Sequence, residues 1–387
     1  MPTPIFPGQP FRLLDAINRL MLRITRLLLC AVALGIALPV ALLSAKTPKH
    51  PVVGIGDNKP DLFKDPRFRA LGIKNVRYSM AWDGLTVGYQ RAEVTNWMKQ
   101  AHKDGLSVLV TIDHSRKVIY KKVKVHGKTK KKAFSQSRVM PSTAQYIKAF
   151  KAFRKKFPWV KQFVTWDETN CYCEVTYNME TQIAAFYRGM RKACSSCTIL
   201  AADFLDVNKH YGVPMKTWIS KLDKALGFQP KYWALNNYED ANHLVSTSTR
   251  QLLKDVHGKI WLAETGGIVN RPHTKHPGFP QNATHAAKVD HYILDTLGSL
   301  SPRIQRVYLY EWDAKTRHDS WDSALISYNN IPRPGYKVLA KTLNSWGIKP
   351  NCSISRVPPT CPRPYKSATQ ATDSSSATAT IASAMRR

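Results

Sequence analysis

Eight short apolar runs, amphipathic stretches between them and the absence of a Gly-rich phosphate turn predict an α/β fold, a single (β/α)8 barrel. The runs are Val52–Gly56, Asn75–Ser79, Ser107–Ile112, Gln162–Trp166, Thr198–Ala202, Tyr232–Leu235, Ile260–Ala263 and Arg306–Tyr310. Each is rich in Val, Ile, Leu and aromatic residues without strict polar alternation, as expected of parallel strands buried on both faces. Between them, Ala144–Phe157, Glu180–Lys192, Thr217–Leu226 and Ala286–Leu297 carry apolar residues at helical spacing. A doubly wound open sheet is the rival architecture. It needs fewer strands and often opens on a GxGxxG or Walker turn, and neither motif occurs here.

The chain divides into residues 1–50, 51–350 and 351–387. In the first part Arg12, Arg19, Arg23 and Arg26 precede an uncharged run, Leu27–Ala45, which Lys46 ends. A run of this length, at about 1.5 Å per residue, just reaches across a bilayer core. It closes on Leu43-Ser44-Ala45, so a cleaved signal peptide and an uncleaved signal anchor are both open. Either keeps the basic flank inside and exports the rest, giving a secreted or extracytoplasmic protein whose membrane contact is through 27–45 alone. Discounting Cys30, six cysteines remain: Cys171, Cys173, Cys194, Cys197, Cys352 and Cys361. An even number in an exported chain suggests disulfides of undetermined connectivity, with Cys194-Ser-Ser-Cys197 a structural bridge between helix and strand.

Two intervals exceed a simple strand–helix connection. Arg116–Arg138 carries Lys121, Lys122, Lys124 and the run Lys128–Lys132, and reads either as a solvated hairpin or loop or as a wall for an acidic glycan. Gly266–Asn282, rich in Pro, His and Gly, should form a long loop after the seventh strand. Lys366–Arg387 is Ser/Thr/Ala-rich without aromatics, the composition of a disordered tail. The whole chain holds 58 Lys+Arg against 26 Asp+Glu, a formal charge of +32. Such a field concentrates anionic partners or serves a basic surface against an anionic envelope. No zinc-finger, homeodomain or RNA-recognition signature accompanies it, which argues against specific nucleic-acid binding. Nothing calls for a metal or another cofactor, and a monomer is expected.

In a closed barrel the residues at the C-terminal strand ends share one mouth. The fourth run opens into Asp167-Glu168-Thr169-Asn170 and the seventh into Glu264-Thr265-Gly266-Gly267. The chain contains only seven glutamates, and two stand directly after strands that face each other across the barrel. Two such carboxyls, one protonated and one ionised, are what glycoside hydrolysis with retention requires.

These segments, from Val52 to about Leu343, resemble the clan A glycoside hydrolases, and the local text is most similar to exported actinobacterial glycosyl hydrolases. The resemblance implies a retaining glycosidase acting on a poly- or oligosaccharide, with Glu168 as acid/base and Glu264 as nucleophile. It further implies that Arg77 and Tyr238 hold the nucleophile and that Trp312 floors the sugar site. Asn236 takes a place where relatives often carry His. His114 and Asp57 stand after strands three and one, as sugar ligands or as satisfied structural groups. Trp82 and Trp166 are read as ligand contacts or core. One departure matters. Where the clan has Asn before the acid/base, this chain has Asp167, which accepts but cannot donate and whose charge would raise the Glu168 pKa. That substitution would assist the acid step, weaken 2-hydroxyl binding or mark lost activity. A non-hydrolytic carbohydrate-binding barrel and a basic envelope scaffold are therefore the competing readings.

Overall fold

Val52–Gly56 form the first strand (β1), parallel both to β2 (Asn75–Ala81) and to the last strand, here β11 (Ile304–Tyr310). The computed structural model describes residues 50–348 except 126–127 and 273–277. Beyond β2 the sheet continues through β3 (Ser107–Asp113) and β6 (Gln162–Val164) to β7 (Thr198–Leu200). Beyond β11 it continues through β10 (Lys259–Thr265) and β9 (Tyr232–Asn236) to β8 (Asp203–Leu205). All these pairings are parallel.

β7 and β8 are halves of one barrel strand, parted by Ala201 and Ala202. The Ala201 N–H donates to the Tyr232 carbonyl at 3.0 Å, and the Ala202 carbonyl accepts from Ala234 at 2.9 Å. The first half thus pairs with β6 and the second with β9, and the sheet closes without a free edge. The eight predicted strands are the eight of a (β/α)8 barrel.

Helices clothe the strands: α1 (Pro66–Ala70), α2 (Gly88–Lys103), α3 (Thr143–Lys156), α4 (Glu180–Ala193), α5 (Met215–Leu226), α6 (Tyr238–Asn242), α7 (Thr247–Asp255), α8 (Ala283–Asp295) and α9 (Pro334–Ser345). α3 starts on a capping box in which the Ser142 hydroxyl accepts from the Gln145 N–H and the Gln145 side chain accepts from the Ser142 N–H. The main core lies between strands and helices and buries Trp97, Trp166, Trp218 and Trp233. Trp166 belongs to this layer, and Trp82 packs against it half-buried. A second, smaller cluster fills the barrel: Leu109, Val164, Leu200, Ala234, Trp261, Ala263 and Tyr308. Gly54 makes room there, since a Cβ would stand 2.5 Å from the Tyr308 ring.

The basic segment is ordered as an antiparallel ribbon, β4 (Val118–Val125) and β5 (Lys128–Ser135). Cys194–Cys197 is a disulfide in the turn between α4 and β7, and Cys171–Cys173 is a second. Cys30, Cys352, Cys361, the segment 1–49 and the tail 366–387 lie outside the described residues. Among the described residues no helix is long and apolar enough to cross a membrane.

Candidate active site

Two local devices aim the glutamates. On β10, Leu262 pairs with Leu235 while Glu264 pairs with the next residue, Asn236. Ala263 is thus an extra residue, a bulge of the kind that redirects the side chain beyond it. After β6, the chain turns sharply and Glu168 takes a left-handed φ of 41°, strain of the sort that surrounding contacts must hold. They do so from β8: the Thr169 N–H and hydroxyl both donate to the Asp203 carbonyl, at 2.7 and 2.8 Å. The Asn170 amide donates to the Leu205 and Val213 carbonyls and accepts from the Leu205 N–H at 2.9 Å.

Arg77, on β2, is buried among carboxylates. Its Nη1 donates to Glu264 Oε2 and its Nη2 to Asp167 Oδ1 at 3.0 Å, while Nε donates to the Thr111 hydroxyl at 2.9 Å. Asp203 Oδ2 stands 3.8 Å from Nη2. The Tyr238 hydroxyl donates to the other oxygen of Glu264 at 3.0 Å. Each oxygen of Glu264 therefore has a donor. Glu168 has far less: Asn236 Nδ2, at 3.5 Å from Oε1 and 3.4 Å from Asp167 Oδ1, reaches towards both carboxylates.

The electrostatics follow. Burial pushes Glu168 well above the usual carboxylate range, and the charges of Asp167 and Glu264 push it further. Burial also raises Glu264, but the Arg77 guanidinium and the hydrogen bonds from Tyr238 and Arg77 pull it back. Surrounded by carboxylates, Arg77 is held cationic. Glu168 is the group disposed to keep a proton and Glu264 the one disposed to lose it, and environments that separate two carboxyls in this way mark acid and base roles.

Asp57 takes the structural one of its two expected roles, and the expected role of Trp312 is corrected. Asp57 is only 2% exposed, and its carboxylate accepts from the Lys59 and Trp312 N–H groups at 2.7 and 3.0 Å and pairs with the Lys59 ammonium at 3.1 Å. It staples the end of β1 to the segment after β11, the structural one of the two roles that the sequence left open for it. Trp312 is 1% exposed, edge-on to Phe68 and Tyr336, with its indole N–H on Asp65 at 3.2 Å. It is core and not a floor, because its ring is packed on Phe68 and Tyr336. The aromatic groups near Glu264 are instead Tyr310, at the end of β11, and Trp321. Burial raises the Tyr310 hydroxyl above its ordinary range, and the charges of Glu311 and Glu264 raise it further. Trp321 is half-buried and 4.8 Å from the Tyr238 ring, edge to face.

His114 is half-buried with Nδ1 2.8 Å from Glu174 Oε1, and Glu174 Oε2 accepts the Trp166 indole N–H at 3.2 Å. Two members of the site were missed from sequence. Asp203 is fully buried, its carboxylate lacks a hydrogen-bond donor, and burial together with Asp167 pushes it well above its ordinary range. It directly follows the fifth apolar run, so the strand-end rule that chose Glu168 also points to it. Tyr310 ends the eighth run and was legible by the same rule. Glu168, Cys171 and Cys173 bring their potential ligand atoms within 4.8 Å of one another, but the two sulfurs are joined in a disulfide and offer no thiolate.

No family model matches the sequence, and no match is found among curated proteins. Solved structures do match. Xylanase B from Clostridium stercorarium F9 superposes with a TM-score of 0.54 at 11% identity, over 75% of this chain and 96% of that one. Xylanase 10B from Thermotoga maritima gives 0.52 at 13% identity, over 79% and 97%. A glucosidase from Croceicoccus marinus gives 0.54 at 11% identity, over 77% and 68%. At such identities the likeness is one of fold: this chain has the barrel architecture on which those glycosidases are built.

Proposed function

We propose that the protein is a retaining glycoside hydrolase that cleaves O-glycosidic bonds of a poly- or oligosaccharide outside the cytoplasm. The observation that carries this reading is the asymmetry of the two glutamates, Glu264 gripped at both oxygens by cationic Arg77 and Tyr238 and Glu168 half-buried with only a long amide contact from Asn236 and the Cys173 sulfur nearby. Glu264 would attack the anomeric carbon as the glycosidic C–O bond breaks, and Glu168 would give its proton to the departing oxygen. In the second half Glu168 would take a proton from water, which attacks the same carbon and frees Glu264. Half-buried Trp321 and Tyr310 would supply apolar surface to the C–H face of a sugar. The glycosidase names of the structural neighbours support the reading as fold-level analogy.

The test is a panel of activated 2-deoxy-2-fluoro glycosides followed by intact mass. One sugar should attach to Glu264 and none to Glu264→Gln. Turnover with an inverted product would sink the retaining mechanism. A second reading, a sugar-binding barrel without hydrolysis, is favoured by Asp167 standing where a hydroxyl donor is expected; saturable binding without turnover on any glycoside would select it.

A further inference from the structure

We infer that the β4–β5 ribbon is a binding arm for an anionic polysaccharide, presenting a carboxylated or sulfated glycan to the barrel mouth; the inference rests on the glycosidase reading of that mouth. The ribbon leaves the C-terminal end of β3, the end that carries the site, and seven lysines lie on its two strands with no acidic residue from Arg116 to Arg138. Its register sets Lys121 opposite Lys132 and Lys122 opposite Lys131. Successive pairs project to opposite faces, so each face carries a pair of like charges side by side, an arrangement that is destabilising on its own. Among the described residues the segment's one ion pair, Arg116 with Asp113, lies at its base. Among the described residues none supplies the charge that would relieve the lysines.

Geometry favours a sugar polymer over other polyanions. Each face also carries an aromatic ring held near its amines: Lys131 is 4.9 Å from the Tyr120 ring centre, and Lys121 and Lys132 are each 5.7 Å from that of Phe134. Tyr120 is 61% exposed, a flat apolar surface beside cations, which suits a sugar ring bearing an acidic group. The C-terminal end of the segment, back at the base of the ribbon, is tied to the site. Both terminal nitrogens of Arg138 donate to the Tyr172 carbonyl at 3.2 Å, Tyr172 lies between the disulfide cysteines, and Cys173 Sγ is 3.5 Å from Glu168 Oε2. A chain lying along the ribbon is thereby directed to the acid/base.

The experiment compares the full-length protein with a K121Q/K122Q/K131Q/K132Q variant and a K121R/K122R/K131R/K132R variant. Binding to polygalacturonate, neutral arabinoxylan and single-stranded oligothymidylate is measured from low to high salt. Wild type should prefer polygalacturonate and lose it as salt rises, because exposed charges are screened over about 8 Å at physiological ionic strength. The Gln variant should bind it at least about tenfold more weakly with a flatter salt dependence, and the Arg variant should bind as wild type does. Equal affinity of wild type for oligothymidylate and polygalacturonate overturns the inference. So does an unchanged Gln variant, or equal loss in the Gln and Arg variants. Polygalacturonate binding without any fluorosugar adduct would overturn the hydrolase reading and leave the arm standing. An adduct without salt-dependent glycan binding would do the reverse.

Discussion

Arg77 and Asp167 set the chemistry of this site between them. One buried guanidinium touches Glu264 and Asp167 and stands 3.8 Å from Asp203. Arg77→Met would strand these carboxylates, a loss of about 3–5 kcal/mol in folding stability by analogy with other broken buried pairs. Without the cation their folded-state pKa values rise, so the loss should grow as pH rises above the ordinary carboxylate range and shrink as pH falls. Denaturant titrations at two pH values would measure it, and a pH-independent loss would refute the electrostatic account. Asp167 acts in the other direction: its negative charge helps keep Glu168 protonated. Asp167→Asn removes that charge and lowers the Glu168 pKa. Since the acid must carry its proton, the alkaline limb of the kcat/KM profile should move to lower pH. A limb that stays in place would mean that Asp167 does not tune Glu168.

At the scale of the element, the loop that follows Glu264 depends on one close approach. Gly267 follows Glu264 by three positions, and a Cβ there would overlap the backbone of Ala286 on α8. Gly267→Ala must therefore separate β10 from α8, at a cost of about 1–3 kcal/mol. Thermal unfolding together with kcat/KM should show lowered stability and impaired turnover, and an unperturbed enzyme would contradict the contact. Buried strands were plain in the sequence because a parallel strand is apolar on both faces, and β1 was read with its observed bounds. The fifth strand was not read as two halves, because its division comes from Ala201 and Ala202 turning their hydrogen bonds to β9. Gly88–Lys103 was not named as a helix: Val94, Trp97, Met98 and Ala101 face the core amid many polar residues.

The molecule as a whole buries an unusual share of its few acids. Asp290 on α8 is 3% exposed and accepts the Gly267 N–H at 3.0 Å, yet burial raises it from its ordinary 3.8 to about 7. The folded chain then holds a proton that the unfolded chain releases near pH 4. Stability from this group is full below that pH, falls by up to about 1.4 kcal/mol per unit as pH rises towards 7, and levels off above. Asp290→Asn keeps an acceptor for Gly267 and cannot ionise, so it should flatten that part of the stability–pH curve. Urea midpoints between pH 4 and 8 would check this. An equally steep curve in the variant would assign the slope to other acids, with Glu311, raised to about 8, the first to examine.

The sequence by itself determined the barrel and the placement of Glu168, Glu264 and Tyr238 at or just beyond its strand ends, with Arg77 inside the second strand. Strand burial is written in local composition, and a strand's C-terminal end is known once the strand is. Side-chain direction beyond that end is not local. Trp312 was expected at the sugar and Asp57 either there or as a structural group, but the loops after β1 and β11 meet, and their contact engages the Asp57 carboxylate and folds Trp312 inward. Asp203 joins the site because β8 lies beside the turn that bears Glu168. The facing lysines of the ribbon exist only through cross-strand register. Each of these is a pairing between residues far apart in the chain, which only the closed tertiary structure decides.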